Sequence, residues 1–292
     1  MSFLDPSRAA VGGNNLVALG SIALVLTLAS GCQKKDDHPP YLADCETNCS
    51  PLPGISIGSG IASGGGSSMP ISDAGPGTLT GQVLLLSDQT FAQGTPFTGG
   101  AVVSADGASG TPVTADWNGI DNYELDGVAS EATNWVSVKP NLAQGDALLT
   151  YQAVRTSTVA MVNLAVVSGT ILDAIFVALS APARSPNFGQ VVLFFRSSGT
   201  GTPLSGLHVA MPSAALTAYR SGSTWVEDDG TAVTDTNGLV LFGNVELANS
   251  TGTQPVTVTK VASGSGQAVN AGTFAARVVE GAVSIATVDV AL

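Results

Sequence analysis

Gly81-Gln82-Val83-Leu84-Leu85 returns as Gly189-Gln190-Val191-Val192-Leu193, and Gly94-Thr95-Pro96-Phe97-Thr98-Gly99 returns as Gly201-Thr202-Pro203-Leu204-Ser205-Gly206, at separations of 108 and 107 residues. Self-similarity at a fixed offset marks two copies of one structural unit. Working outward, each copy carries an Asn-Gly pair before a short apolar run: Asn118-Gly119 ahead of Tyr123-Glu124-Leu125, and Asn237-Gly238 ahead of Leu239-Val240-Leu241. Asn-Gly is a hairpin signal, because both central residues of a type I′ turn take positive φ. Trp135-Val136-Ser137-Val138 then corresponds to Pro255-Val256-Thr257-Val258. Each copy closes on an alternating strand, in which Val162, Leu164 and Val166 match Val288, Val290 and Leu292, with Asn163 and Asp289 on the opposite face.

Composition agrees with a strand-rich chain. Of 292 residues, 44% are hydrophobic but only 5% aromatic, 11% are charged and 35 are glycine, which favours many thin strands over thick helices. The net charge of −12 excludes an electrostatic nucleic-acid binder, which would work against its own field.

The order of a first strand, G-T-P-x-x-G before a second, an Asn-Gly turn and a short strand resembles the carboxypeptidase regulatory-like and collagen-adhesin B-type repeats. The resemblance covers roughly Thr78 to Val167 and Pro186 to Leu292 and implies small prealbumin-like β-sandwiches. The expected fold is therefore all-β: two tandem Greek-key-like sandwiches over residues 78–167 and 186–292. Some collagen-adhesin repeats carry a lysine–asparagine crosslink. Asn163 and Asp289 lie in the expected last strands, but neither first strand contains a lysine, so no isopeptide bond is expected.

Residues 168–185 are expected to join the sandwiches through a short helix. Thr170 to Leu179 reads TILDAIFVAL, with Ile171, Ile175 and Leu179 at steps of four, Leu172 and Phe176 beside them, and Pro182 and Pro186 beyond. Packed, such a helix makes the pair of sandwiches semi-rigid.

Residues 1–31 read as an export signal. Leu16 to Ala29 is an uncharged run of 14 residues, short of the ~20 needed to cross a bilayer. It ends in Leu28-Ala29-Ser30-Gly31-Cys32, which resembles the lipobox of bacterial lipoproteins. The resemblance implies acylation of Cys32 and, with Gln33 following, sorting to the outer membrane. Several acyl chains on one residue give nearly permanent anchoring. Cys45 and Cys49 remain as an even pair in an exported chain and are expected to form a small disulfide loop.

Residues 32–77, rich in glycine, serine and proline, are expected to be a flexible tether with a random-coil span of about 35–40 Å. Within it, Gly54-Ile55-Ser56-Ile57-Gly58 matches the nucleophile-elbow spacing and the run from Gly58 to Gly64 is faintly like a dinucleotide loop. Both lack the preceding strand and following helix that those chemistries need.

Catalytic signals are sparse. His38 and His208 are the histidines, and no triad assembles around His208, which is expected to lie on a strand. Asp116, Asp121 and their neighbours, and Asp228, Asp229 and Asp235, place oxygen ligands around glycine turns in a manner compatible with calcium, though Asp, Asn and Gly also simply make turns. Trp117 and Tyr123, flanked by Asp116 and Asn118, form the best candidate patch for a sugar. The expected function is a non-enzymatic outer-membrane lipoprotein: an acyl anchor, a tether and two sandwiches acting as a spacer, structural or adhesive unit with an envelope-protein partner. The alternative is a carbohydrate-binding module for an envelope glycan, assisted by calcium.

Overall fold

The computed structural model describes residues 56–57, 76–129, 133–141, 146–155, 159–247, 252–261 and 268–291. The export segment, Cys32, Cys45, Cys49 and all of the expected tether except Ser56, Ile57, Pro76 and Gly77 lie outside them.

Strand β1 is Ser56–Ile57. The first repeat supplies β2 (Pro76–Gly81), β3 (Val83–Leu86), β4 (Gly94–Pro96), β5 (Ala101–Asp106), β6 (Pro112–Trp117), β7 (Tyr123–Ala129), β8 (Thr133–Pro140), β9 (Ala147–Leu148), β10 (Thr150–Arg155), β11 (Val159–Met161) and β12 (Leu164–Ser168). Helix α1 (Gly169–Ala178) follows. The second repeat supplies β13 (Gly189–Ser197), β14 (Leu207–Ala210), β15 (Ala214–Ser221), β16 (Thr224–Glu227), β17 (Leu239–Val245), β18 (Thr253–Val261), β19 (Ala268–Arg277) and β20 (Val283–Val290). Among the described residues the chain is mostly β-sheet with one short helix, as expected from its sequence.

The repeat in sequence is a repeat in topology. In the second copy the first strand, β13, runs parallel to the last, β20, and antiparallel to β17, the strand after the Asn-Gly turn. In the first copy the same strand is broken at Gln82 into β2 and β3, which pair parallel with β11 and β12, while β2 runs antiparallel to β7. The facing layers also correspond: β5-β8-β10 in the first repeat, β14-β18-β19 in the second. The copies differ in one insertion, since β6 extends the layer of β5 whereas β15 and β16 extend that of β17.

The Asn-Gly pairs do not make type I′ hairpins. Gly119 and Gly238 have φ of +88° and +64°, but neither asparagine is left-handed, and β6 and β7 belong to different sheets. The side chain of Asn118 accepts hydrogen bonds from the N–H groups of Ile120 and Asp121, so a side chain directs the first turn. Glycine is still required, because a Cβ at Gly119 would stand 2.5 Å from Thr98 O and one at Gly238 2.4 Å from Phe195 O.

The helix is one connection between the repeats, and the sheet is another. Strand β20 pairs parallel with β10 of the first repeat, Val283 opposite Thr150, Ser284 opposite Tyr151 and Ile285 opposite Gln152. One layer of each sandwich thereby fuses into a sheet of order β16-β15-β17-β13-β20-β10-β8-β5-β6, with β1 alongside β20.

Both faces of its second-repeat half are covered. On one face Val191, Leu193, Phe195, Val240 and Phe242 join the core of the second sandwich. On the other, Val192, Leu239, Leu241, Val283 and Ile285 pack with Leu172, Ile175 and Phe176 of α1 and with Leu86, Phe91 and Val167 of the first repeat. A Cβ at Gly243 would lie 2.5 Å from Phe176 Cζ, so this glycine makes room for the helix. The first sandwich keeps its own core, around Leu79, Val103, Trp117, Leu125 and Val136.

Helix α1 begins one residue before the expected stretch and ends one residue earlier. Its buried stripe is Leu172, Ile175 and Phe176, at the i, i+3 and i+4 spacing of a helix seated on a sheet. Ser168, at the N-cap, makes no side-chain cap bond. The cap comes from Asp146 instead: its Oδ2 accepts from Thr170 N at 2.7 Å and from Ser168 Oγ at 2.8 Å, and its carbonyl accepts from Gly169 N at 2.8 Å. The hydrogen bonds from Thr170, with that from Ser168, hold the Asp146 carboxyl below the usual aspartate range. Past the helix, Asn244 pins the chain to β17, its amide oxygen accepting from Ser185 N and its Nδ2 donating to Ala183 O.

The loop between β3 and β4 reaches across to the second repeat. Phe91 is fully buried at a φ of +51° and meets Trp225 edge-on, with centroids 6.1 Å apart. Trp225 Nε1 donates to Gln89 O at 3.1 Å, and the buried Arg220 guanidinium lies 5.8 Å from the Trp225 ring. Phe91→Ala should cost roughly 3–5 kcal/mol of unfolding free energy, the range for truncating a buried phenylalanine, read by urea denaturation followed by circular dichroism. Asp146→Asn, which keeps an acceptor oxygen but removes the negative charge at the helix N-terminus, should cost about 0.3–1 kcal/mol. Because the folded carboxyl titrates below its unfolded value, that contribution is present above about pH 4–5 and disappears as pH falls through the folded pKa. The stability difference between wild type and Asp146→Asn should therefore shrink on acidification below pH 4.

Candidate functional site

The first loop cluster is built by the end of β6 and the turn into β7. Alternation along β6 turns Asp116 outward and Trp117 inward. Trp117 is 3% exposed and its Nε1 donates to Phe97 O at 2.9 Å, which fastens the β6 end to the segment after β4. Tyr123, 1% exposed, donates its hydroxyl to Val162 O at 2.6 Å, and burial raises its pKa well above the ordinary phenol value. The sequence patch is thus split between two sides of the strand. Asp116, Asn118 and Asp121 are at the surface, whereas the two rings expected as a sugar platform are core groups. The reason is the pleat: residues 117, 123 and 125 face the sandwich interior, where with Phe97 they fill a core made mostly of valine, leucine and alanine. Ile120, 80% exposed, is the apolar side chain left at the tip.

The oxygen ligands of this turn bond to one another and to the backbone. Asn118 Nδ2 donates to Asp121 Oδ2 at 2.8 Å while its Oδ1 holds two backbone N–H groups.

The second cluster follows the same logic. Asp228 Oδ1 accepts from Gly230 N, Asp229 Oδ1 from Thr231 N and Oγ1, and Asp235 from Asn237 N and Nδ2 and from Gly222 N, all between 2.6 and 2.9 Å. Hydrogen bonding by Thr231 lowers the pKa of Asp229. These carboxylates organise the β16–β17 connection. Among the described residues no group of three or more acidic, histidine or cysteine side chains stands close enough to hold a metal ion.

His208 lies on β14, as expected, with Nε2 3.3 Å from Asp228 Oδ2 and its ring beside Tyr219. The neighbouring Tyr219 is the more consequential group. Its buried hydroxyl accepts from Val209 N at 2.7 Å and donates to Val209 O at 2.9 Å, satisfying both backbone groups of one residue on the edge strand β14. No sequence signal marks it, because a tyrosine in an alternating strand reads as ordinary core. Asn163 and Asp289, the last-strand pair, occupy different environments: Asn163 Oδ1 accepts from Gln82 N at the break between β2 and β3, whereas burial raises the Asp289 carboxyl against the opposing effect of Arg196.

A shallow cleft of about 440 Å³ runs beside β4, lined by Leu85 and residues 95–99, with no titratable side chain among them. Trp117→Ala should lower unfolding free energy by roughly 3–5 kcal/mol, as expected for a core tryptophan, and Tyr219→Phe by about 1–3 kcal/mol through the two unpaired backbone groups left behind. Chemical denaturation of each variant reads these directly; a Trp117→Ala protein of unchanged stability would return that ring to the surface.

No protein-family description matches the chain. No curated protein matches it either. Solved structures that align with it include the shaft pilin SpaA of Lactobacillus rhamnosus GG, at 10% identity over 73% of this chain and 97% of that one with a TM-score of 0.21. A streptococcal ancillary pilin aligns at 15% identity over 74% and 68% of the two chains, TM-score 0.23, and the major pilin subunit BcpA of Bacillus cereus at 11% identity over 74% and 70%, TM-score 0.23. At this identity no functional property passes from those pilins to this chain.

Proposed function

We propose that this chain is a non-enzymatic envelope module, held at the outer membrane by acylated Cys32 and presenting its two fused sandwiches as a rigid structural, spacer or adhesive unit to an envelope-protein partner. The observation that carries the reading is the sheet running without interruption through both repeats, sealed on its second face by α1 and Phe91. Two sandwiches on a loose linker swivel, while a pair sharing a parallel strand ladder and a hydrophobic core moves as one body. That property suits a part that fixes distance or bears load. No helix among the described residues is long and apolar enough to cross a membrane, so in this reading attachment falls to the lipid.

The loop chemistry supports the same conclusion. Asp121, Asp228, Asp229 and Asp235 are engaged in shaping their own turns, and the aromatic rings beside them fill the core. The carbohydrate-binding alternative loses its platform with Trp117 and Tyr123 buried.

In cells grown with a labelled fatty acid, wild-type protein should carry the label and sediment with the outer membrane. Cys32→Ser should lose the label and remain soluble while keeping its thermal transition. Unlabelled wild-type protein, or Cys32→Ser that still sediments, would remove the acyl anchor from the proposal.

A further inference from the structure

The run Gly54-Ile55-Ser56-Ile57-Gly58 has the spacing of a nucleophile elbow but no catalytic surroundings, and its central pair does something else. Ser56 and Ile57 form β1, in parallel register with Thr287 and Val288 of β20. One edge of β20 is paired along its length, Val283 to Val290 lying opposite Gln190 to Ser197 of β13. The other edge is shared. Strand β10 covers only Val283 to Ile285, and β1 resumes the pairing two residues further on.

Two side chains of β10 are bonded to the backbone of β12 and of the residue before it: Thr150 Oγ1 accepts from Val167 N at 3.2 Å, and Gln152 Oε1 accepts from Ala165 N at 2.9 Å while its Nε2 donates to Asn163 O at 3.3 Å. Gln152 is 1% exposed, so these bonds are shielded from water. Beyond Gln152 the strand continues beside β8 and no longer follows β20. Thr287 and Val288, 5% and 6% exposed, thus stand at a sheet edge that β10 has left. A buried backbone donor or acceptor left without a partner costs about 1–3 kcal/mol, which favours an extended segment in that place.

We propose that Ser56–Ile57 is a strand latch, by which the segment preceding the first repeat is held in cis against β20 in the slot that β10 vacates. The occupant is the chain's own segment, since residues 58–75 connect it directly to β2 of the same molecule. Taken with the Cys32 anchor of the reading above, the latch shortens the stretch of sequence between the lipidated residue and the first strand held by the module from 43 residues, 33–75, to 23, residues 33–55.

Hydrogen exchange on the full chain tests the latch. The amides of Thr287 and Asp289, which by alternation lie on the same edge as the Val283 N–H that donates to Leu149 O, should exchange slowly in the wild type and ~10-fold or more faster in Ile57→Pro, which removes an N–H donor and restricts φ, while the amide of Val288, on the β13 edge, and those of β13 keep their protection. Equal exchange in the two proteins, or fast exchange in both, would overturn the latch. Independently, Ser56→Cys with Thr287→Cys, in a chain whose Cys45 and Cys49 are serine, should oxidise to a link within one molecule, identified by peptide mass and monomeric on a non-reducing gel. A disulfide-linked dimer, or thiols that stay free, overturns the cis assignment. Failure of the anchor reading shows elsewhere, as loss of lipid label with exchange at β20 unchanged.

Discussion

The structure depends on covering the outer face of the β17-β13-β20 layer. A sandwich needs only one buried face per sheet, but this layer is apolar on both, and β17 is buried at every one of its seven positions. Left open, that second face would expose Val192, Leu239, Leu241, Val283 and Ile285 together, a patch of the kind that drives association. The first repeat, with the helix that follows it, is the cover. Burial of these side chains accounts for the path of the chain between Ser168 and Pro186 and for the attachment of one repeat to the other.

Several local peculiarities follow from this cover. Phe91 sits in a left-handed conformation that costs a non-glycine residue about 1–3 kcal/mol, and the cost is offset by a fully buried ring against Trp225. Gly243 lacks a side chain where Phe176 descends onto the sheet. Asp146, far from the helix in sequence, supplies the cap that Ser168 does not, so that the helix start is fixed to the first repeat and its body to the second. The parallel contact between β10 and β20 then extends the backbone ladder across the junction. Cooperative unfolding is the natural consequence of a core and a ladder that belong to both repeats.

The same economy governs the polar loops. A connection between strands that do not pair with each other has backbone donors outside any ladder, and Asn118, Asp228, Asp229 and Asp235 satisfy them from their own side chains. Residue types that would suit cation binding are therefore also those that such turns require, and sequence spacing cannot separate the two uses. Trp117 and Tyr123 present the parallel case among aromatics: lying next to acidic turn residues in sequence, they face the opposite way once the pleat assigns alternate residues to opposite sides.

The sequence by itself determined the all-β class, the twofold repeat and the helix between the copies, because period-two alternation and period-four spacing are local signals, whereas the Asn-Gly pairs marked turns but not which strands those turns join. It also carried one clue to the fused core, since Gln190 to Phe195 and Leu239 to Phe242 are nearly unbroken apolar runs of the sort found in strands covered on both faces. Tertiary structure alone decided what covers them. Pairing of β10 with β20, the reach of Phe91 to Trp225, the capping of α1 by Asp146 and the docking of Ser56–Ile57 all join residues distant in sequence. Such contacts leave no local pattern, because what selects them is the shape and unsatisfied hydrogen bonding of surfaces that exist only after both sandwiches have formed.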